Sequence, residues 1–321
     1  MVSKRFVFGL TCWLTVFGGS AATAQQLESV LAPLAQKSLI LDIAWAGERL
    51  VAVGERGHVL LSDDAGEQWR QVTVPTRAAL TAVFFTDART GFAVGHDAVV
   101  LRSTDRGETW QLVHVDAEEE APLLDVFFFD AQRGLAVGAY AYFLKTEDGG
   151  RSWELSAIND EDDFHLNAIS PAPSGDLFIA AEAGFIYHSS DAAATWASLE
   201  SPYEGSFFGA LSDTDNELLV FGLRGNLYRS TDAGEEWQRI ELGTQAMLTD
   251  AARLPDGRRV IVGLEGMVLI EHDGGFQEFQ LPSRAGLTAV VVVDPQTLLV
   301  AGEAGLARLQ LRELRAWDNS L

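Results

Sequence analysis

Ser103-Thr104-Asp105-Arg106-Gly107-Glu108-Thr109-Trp110 is the clearest copy of a phrase that the chain repeats, Ser/Thr-x-Asp-x-Gly-x-x-Trp. The phrase ends at Trp69, Trp110, Trp153 and Trp237, and, with Ala193 in the glycine place, at Trp196. A period of roughly 42 residues marks a repeat architecture. A second landmark keeps the same register. It is the first residue of a Gly-x-x-Gly turn, at Gly54, Gly95, Gly138, Ala181, Gly222, Gly263 and Gly302. Two independent landmarks share one spacing, and the second counts seven units.

Each unit divides into four short runs rich in β-branched and aromatic residues. In the first they are Leu41 to Trp45, Arg49 to Gly54, Gly57 to Ser62 and Trp69 to Val74. Runs of this length bounded by Gly, Asp or Pro read as strands. Four strands joined by tight turns make an antiparallel meander, the blade of a propeller. The expected fold is therefore all-β, a seven-bladed β-propeller spanning residues 25–321, with blades starting near 41, 80, 124, 166, 208, 248 and 287. Unit six carries a worn phrase, Glu271-His272-Asp273-Gly274-Gly275, with Phe279 near the Trp place. Unit seven supplies only three strands. An open ring leaves sheet edges exposed, so the mature N-terminal segment, Leu27 to Leu31, is expected to supply the missing strand. The tail from Arg312 has no place in the repeat.

Residues 1–24 read as a secretory signal peptide. Lys4 and Arg5 precede an apolar run from Phe6 to Phe17, and Ala22-Thr23-Ala24 offers a cleavage site. The run is short for a membrane span. The expected location is periplasmic or secreted, peripheral to a membrane at most. The single cysteine, Cys12, lies in this leader, so the mature chain would have neither a disulfide nor a thiol nucleophile. The whole chain has 23 Lys and Arg against 46 Asp and Glu, a net charge of −23. Without Lys4 and Arg5 the balance is −25. Such a chain repels phosphate backbones, and nucleic acid is excluded as a partner class.

The repeated phrase is read as structural. Asp64, Asp105, Asp148, Asp191 and Asp232 would accept turn N–H groups. Glycine would take the left-handed conformation, and Trp69, Trp110, Trp153, Trp196 and Trp237 would bury their rings while finding partners for their N–H groups. Ala193 is expected to distort its turn. Five near-identical copies cannot each be an active site.

These residues match the BNR or Asp-box repeat, shared by sialidases, sortilin-type receptors, some glucanases and the photosystem II stability/assembly factor family. The unit from Val51 to Trp69 resembles the last most, as does Arg224-Gly225-Asn226-Leu227-Tyr228. The likeness runs from Leu41 to Leu311. It implies a non-enzymatic seven-bladed propeller that binds membrane-protein subunits during assembly. Members with a secretory signal also occur in non-photosynthetic bacteria, often beside transport systems. Of that family's arginine-rich partner surface only Arg224 and Arg229 have counterparts near the matching string. The implied function is an exported scaffold that binds a membrane-protein complex or its extracytoplasmic subunits, including those of transport systems. The alternative is a glycan-binding or glycoside-hydrolysing, sialidase-like propeller, but the chain lacks the Arg-Ile-Pro-like strand and arginine triad that sialidases carry.

No cofactor motif or metal pattern is found. The six histidines show no His-x-x-x-His pairing, and Glu118-Glu119-Glu120 and Asp160-Glu161-Asp162-Asp163 lack the EF-hand spacing. In a propeller the turns between strands two and three share a face with the blade-to-blade loops, and the Asp phrases lie opposite. Those turns hold Glu55, Arg56, His96, Asp97, Tyr140, Glu182, Arg224, Glu265 and Glu303, and both acidic runs fall in blade-to-blade loops of the same face. Unlike the Asp phrase these positions differ from blade to blade. They are the candidate partner-binding residues.

Overall fold

A computed structural model describes residues 27–116, 118, 121–159 and 163–318, with the side chains of 315–318 left aside. Residues 1–24, expected to form a leader, lie outside the described residues. The strands group into seven antiparallel sheets, six of four strands and one of three, each in sequence order. Blade 1 consists of Ile40–Ala46, Arg49–Gly54, His58–Ser62 and Arg70–Val72. The remaining blades begin at Leu80, Leu123, Leu166, Phe207, Leu248 and Leu287. The first strands contact one another in a closed circle, from blade 1 round to blade 7 and back, and so line a central axis.

Hydrophobic pattern explains the stacking. Second strands are buried at every position, because both of their faces meet a neighbouring blade. The outermost strands of blades 4 and 5 are short and exposed, Ala197–Ser198 and Gln238–Arg239. Among the described residues an apolar cluster fills each joint between blades. Val51, Leu61, Leu80, Leu101 and Trp110 fill the first, and Val260, Leu298 and Val300 fill the joint of blades 6 and 7.

The glycine that ends each second strand has a steric cause. A Cβ on Gly95 would stand 2.0 Å from the Ala79 carbonyl oxygen, and one on Gly54 2.3 Å from that of Leu39. The strand end passes too close to the chain entering the blade for a side chain. Ala181 fits in blade 4 through a different backbone angle, φ −135° against −171° at Gly54 and −179° at Gly95.

Ring closure differs from the expected strand exchange. Leu27–Leu31 forms no strand and pairs with nothing in the seventh sheet, whose strands are Leu287–Asp294, Thr297–Gly302 and Ala307–Gln310. The segment instead lies along blade 1. Ser29 N–H donates to Val74 O and Val74 N–H to Ser29 Oγ, both at 2.9 Å, and Gln71 Nε2 donates to Val30 O. A paired strand buries alternate side chains, but Leu27, Val30 and Leu31 all point to solvent. The tail forms a helix, Leu311–Asp318, instead. The helix contacts Ala307–Gln310, the last strand of blade 7, and Gly275–Gln280 of blade 6, and its buried Leu311 and Leu314 join the apolar cluster of that joint. Blades 7 and 1 meet side by side. Thr288 Oγ1 donates to Ile40 O at 2.7 Å, Leu306 N–H to Gln36 O at 3.1 Å, and Ile40, Leu50, Leu60, Leu299 and Ala301 share a core.

Candidate functional site: the loop face and the axis

The five intact Asp phrases all form the same turn. In blade 2, Ser103 Oγ accepts from Gly107 N–H at 2.9 Å and donates to Asp105 Oδ1, which accepts from Thr109 N–H at 2.9 Å. Acceptor contacts of this kind hold Asp148 and Asp191 well below the ordinary carboxylate range, at about 2, with hydrogen bonds from Ser152 and Thr195 the leading causes. Ala193 does not distort its turn. Its φ of 66° lies beside the 80° of Gly107, and its N–H reaches Ser189 Oγ at 3.0 Å as the glycines do. Of the indole N–H groups, those of Trp69 and Trp110 donate to Gly66 O and Gly107 O, and that of Trp237 to Glu200 O. Among the described residues those of Trp153 and Trp196 find no acceptor. Blade 6 replaces the phrase with a two-residue Asp273-Gly274 turn, φ 49° and 80°, of the kind that suits a tight hairpin. Its fourth strand is correspondingly long, Gly275–Gln280.

The opposite face carries the turns between strands two and three. In blades 1 to 6 each is a single 3₁₀ turn whose middle residue is left-handed: Arg56, Asp97, Tyr140, Ala183, Arg224 and Glu265, with φ between 54° and 59°. Backbone bonds tie the tips to the blade-to-blade loops beside them. Ala98 N–H donates to Ala121 O, Ala141 N–H to Phe164 O and Glu182 N–H to His165 O. The tips are thus fixed in place while their side chains face solvent. Arg56, His96, Asp97, Tyr140, Arg224, Glu265 and Glu303 are exposed, and Glu55 and Glu182 half-buried. Glu182 accepts from His165 N–H, and the Tyr140 ring meets His165 edge-on at 4.9 Å. Glu118 and Asp163 are exposed, whereas Glu119, Glu120, Asp160, Glu161 and Asp162 lie outside the described residues.

The arginines that gather carboxylates lie on the other face. Arg49 is bound by Asp63 and Glu108, and Arg259 by Asp213, Glu217 and Glu271. Both are spent on joining blades. The hollows beside the Asp phrases, about 380 Å³ in blade 3 and 290 Å³ in blade 1, recur at one repeat position and belong to the turn itself. A separate hollow of about 230 Å³ opens on the loop face of blade 4.

Sequence reasoning missed a set of residues at the axis. Asp42, Asp125 and Asp250 hold the same place in the first strands of blades 1, 3 and 6. One oxygen of each accepts the next residue's N–H, and the other reaches across to the neighbouring blade: Val83 N–H, Ile169 N–H and Val290 N–H, at 2.7, 2.7 and 2.8 Å. In the neighbouring blades the same repeat position is held by Ala82, Ala168 and Ala289. The bulged residue one place earlier in the first strand bridges joints as well. Thr81 donates to Leu123 O, Asn167 to Phe207 O and Thr249 to Leu287 O. The signal was an acidic residue inside an apolar strand, as in Leu123-Leu124-Asp125-Val126.

Solvent touches these half-buried residues, but protein surrounds their carboxyls, and desolvation governs their titration. Burial pushes Asp125 up to about 7 and Asp250 up to about 6; burial and then the Asp250 charge raise Asp42 well above the ordinary range. The native state therefore holds protons that the unfolded chain, with Asp at about 3.9, has already released. The stability that these protons contribute is complete below pH ~4 and is lost as pH rises toward ~7. His58 and His114 oppose this: burial lowers their pKa below the ordinary 6.5, so their share of stability grows as pH rises toward ~6.5. Urea titrations are expected to show stability falling from pH ~5 to pH ~8 by on the order of 2 kcal/mol. Asp125→Asn should flatten that fall; an unaltered profile would contradict the assignment.

The fold and its fixed tips define a seven-bladed propeller built to display loops. The family model described as photosynthesis system II assembly factor YCF48 matches residues 65–123 and 103–291, more than half of the chain. The chain belongs to this family. Among solved structures it is similar to "YCF48 bound to D1 peptide" (TM-score 0.70, 18% identity, covering 88% of this chain and 95% of that one). The YCF48 structure from Cyanidioschyzon merolae matches with a TM-score of 0.70 and 18% identity, over 88% and 98% of the two chains. The WD40 propeller domain of Doa1 follows at 0.69 and 14%, over 88% and 95%. In sequence, the uncharacterized protein YkuO of Bacillus subtilis (strain 168) is 34% identical over 87 residues, 27% of this chain and 29% of that protein.

Proposed function

We propose that this chain is a non-enzymatic, exported scaffold that binds a membrane-protein complex, or one of its extracytoplasmic subunits, through the loop face. The observation that carries the reading is the set of tips. Six left-handed turns present Arg56, Asp97, Tyr140, Ala183, Arg224 and Glu265 from backbone held by the adjoining loops. The scaffold is constant and the displayed chemistry is not, which is how a rigid surface encodes recognition. Membership of an assembly-factor family, and likeness to the structure of YCF48 bound to D1 peptide, support a protein segment as the partner. The net charge of −23 favours a partner with a basic or mixed docking surface, since complementary charge steers encounter.

Affinity capture from detergent-solubilised membranes of the source organism tests the reading. Wild-type protein is expected to retain a defined membrane-protein complex. Asp97→Lys combined with Glu265→Lys should reduce the captured amount about tenfold or more, as loss of central charge complementarity does. Capture that is indifferent to these tips, or release of sugar from sialosides or β-glucans by the purified protein, would overturn it.

A further inference from the structure

We infer that the hollow on the loop face of blade 4 is a side-chain socket for an extended segment of a partner protein, taking an aromatic or branched aliphatic residue flanked by Lys or Arg. This rests on the reading of the loop face as a protein-binding surface. The socket is formed by Ala183, Gly184, Phe185, Leu199, Tyr203 and Glu204. Its walls are fixed. Gly184 is left-handed at φ 82°, and a Cβ there would stand 1.9 Å from Tyr203 O, so tip and loop are pressed together. Ser201 Oγ donates to Tyr203 O at 2.8 Å and holds the loop that carries the ring.

Size selects the occupant. Pockets for small ligands and cofactors run to about 300–1,000 Å³, whereas about 230 Å³ suits one large apolar side chain. The orientation of the rings selects against a sugar. A carbohydrate ring stacks on an open aromatic face, but Phe185 has Phe164 stacked on it at 4.3 Å and Tyr187 at 5.8 Å. Tyr203 lies over Tyr228 at 6.2 Å and meets Phe207 edge-on at 5.8 Å. Charge selects the flanks. No Lys or Arg lines the socket, Glu204 stands exposed on its rim, and Glu182 adjoins it at the start of the same turn as Ala183.

Isothermal titration of the propeller with synthetic nine-residue peptides tests this. A Gly/Ser peptide carrying Lys-Phe-Lys at its centre is expected to bind. Lys-Ala-Lys should bind about tenfold or more weakly, the ratio that burial of one aromatic side chain supports, and Glu-Phe-Glu should be weaker still. Ser198→Trp, a substitution at an exposed residue of the socket's lining that fills it, should abolish the difference between the Phe and Ala peptides. Equal affinity for those two peptides, or a preference unaffected by Ser198→Trp, overturns the socket. Binding of chitotriose or cellotriose that Ser198→Trp removes also overturns it. If Ser198→Trp captures the membrane complex as well as wild type does, the socket fails while the scaffold reading stands. If wild type captures no complex, the peptide titration still decides the socket alone.

Discussion

Arg259→Met is expected to lower the unfolding free energy by about 3–5 kcal/mol, the cost of breaking a buried ion pair by removing one partner. Arg259 sits at the joint of blades 5 and 6. Nε donates to Asp213 at 2.5 Å, Nη2 meets Glu217 at 2.6 Å and Nη1 meets Glu271 at 3.0 Å. Burial works against its charge, but the hydrogen bonds to Glu217 and Asp213 outweigh that and raise its pKa further. Methionine fills the space of the stem but leaves three carboxylates facing one another. Arg229, which reaches Glu271 at 2.5 Å and Glu217 at 3.6 Å, compensates only part of this charge. The measurement is a urea titration with an unchanged slope, so that the midpoint reports stability. A loss below about 1 kcal/mol, the usual worth of an exposed pair, would show that the network is solvated and does not fasten the joint.

Trp110→Ala should cost a similar amount, about 3–5 kcal/mol. The indole is 6% exposed, donates to Gly107 O at 2.9 Å and meets the Phe85 ring edge-on at 6.2 Å. It belongs to the core shared by blades 1 and 2, so its removal opens a cavity between blades and not at a blade's rim. Trp69, half-buried at the same repeat position, should lose less on the same change. Thermal melts of the two variants make the comparison, and equal shifts would contradict the burial argument.

The repeat was legible because its residues are dictated by local geometry. Gly95 cannot carry a Cβ beside Ala79 O, and Asp105 must accept turn N–H groups, so both recur at fixed spacing whatever the chain does elsewhere. Ala193 misled because a left-handed alanine is costly but possible, and the hydrogen bonds of its turn hold it there. The axis carboxylates were obscured for a different reason. Asp42 and Val83 are far apart in the chain, and only the closed circle of first strands brings them together. Closure was misjudged because three strands in the seventh unit suggested a missing fourth. The amphipathic spacing of Leu311 and Leu314 offered a helix as cover, and the burial of both residues shows that it was taken. The loop-face turns were placed on one side by topology alone, but the socket formed by Phe185, Leu199 and Tyr203 depends on ring packing that spacing does not encode.

The side-by-side meeting of blades 7 and 1 bears on how such a ring changes size. Every sheet here is drawn from one uninterrupted stretch of chain. Where a sheet borrows a strand from the far terminus, the first and last units are bound to each other's register and must alter together. In this ring no unit owes a strand to another. Gain or loss of one whole unit by duplication or deletion would leave every remaining sheet intact, with only the tilt between neighbours to be readjusted. The number of displayed tips is therefore open to change without redesign of any blade.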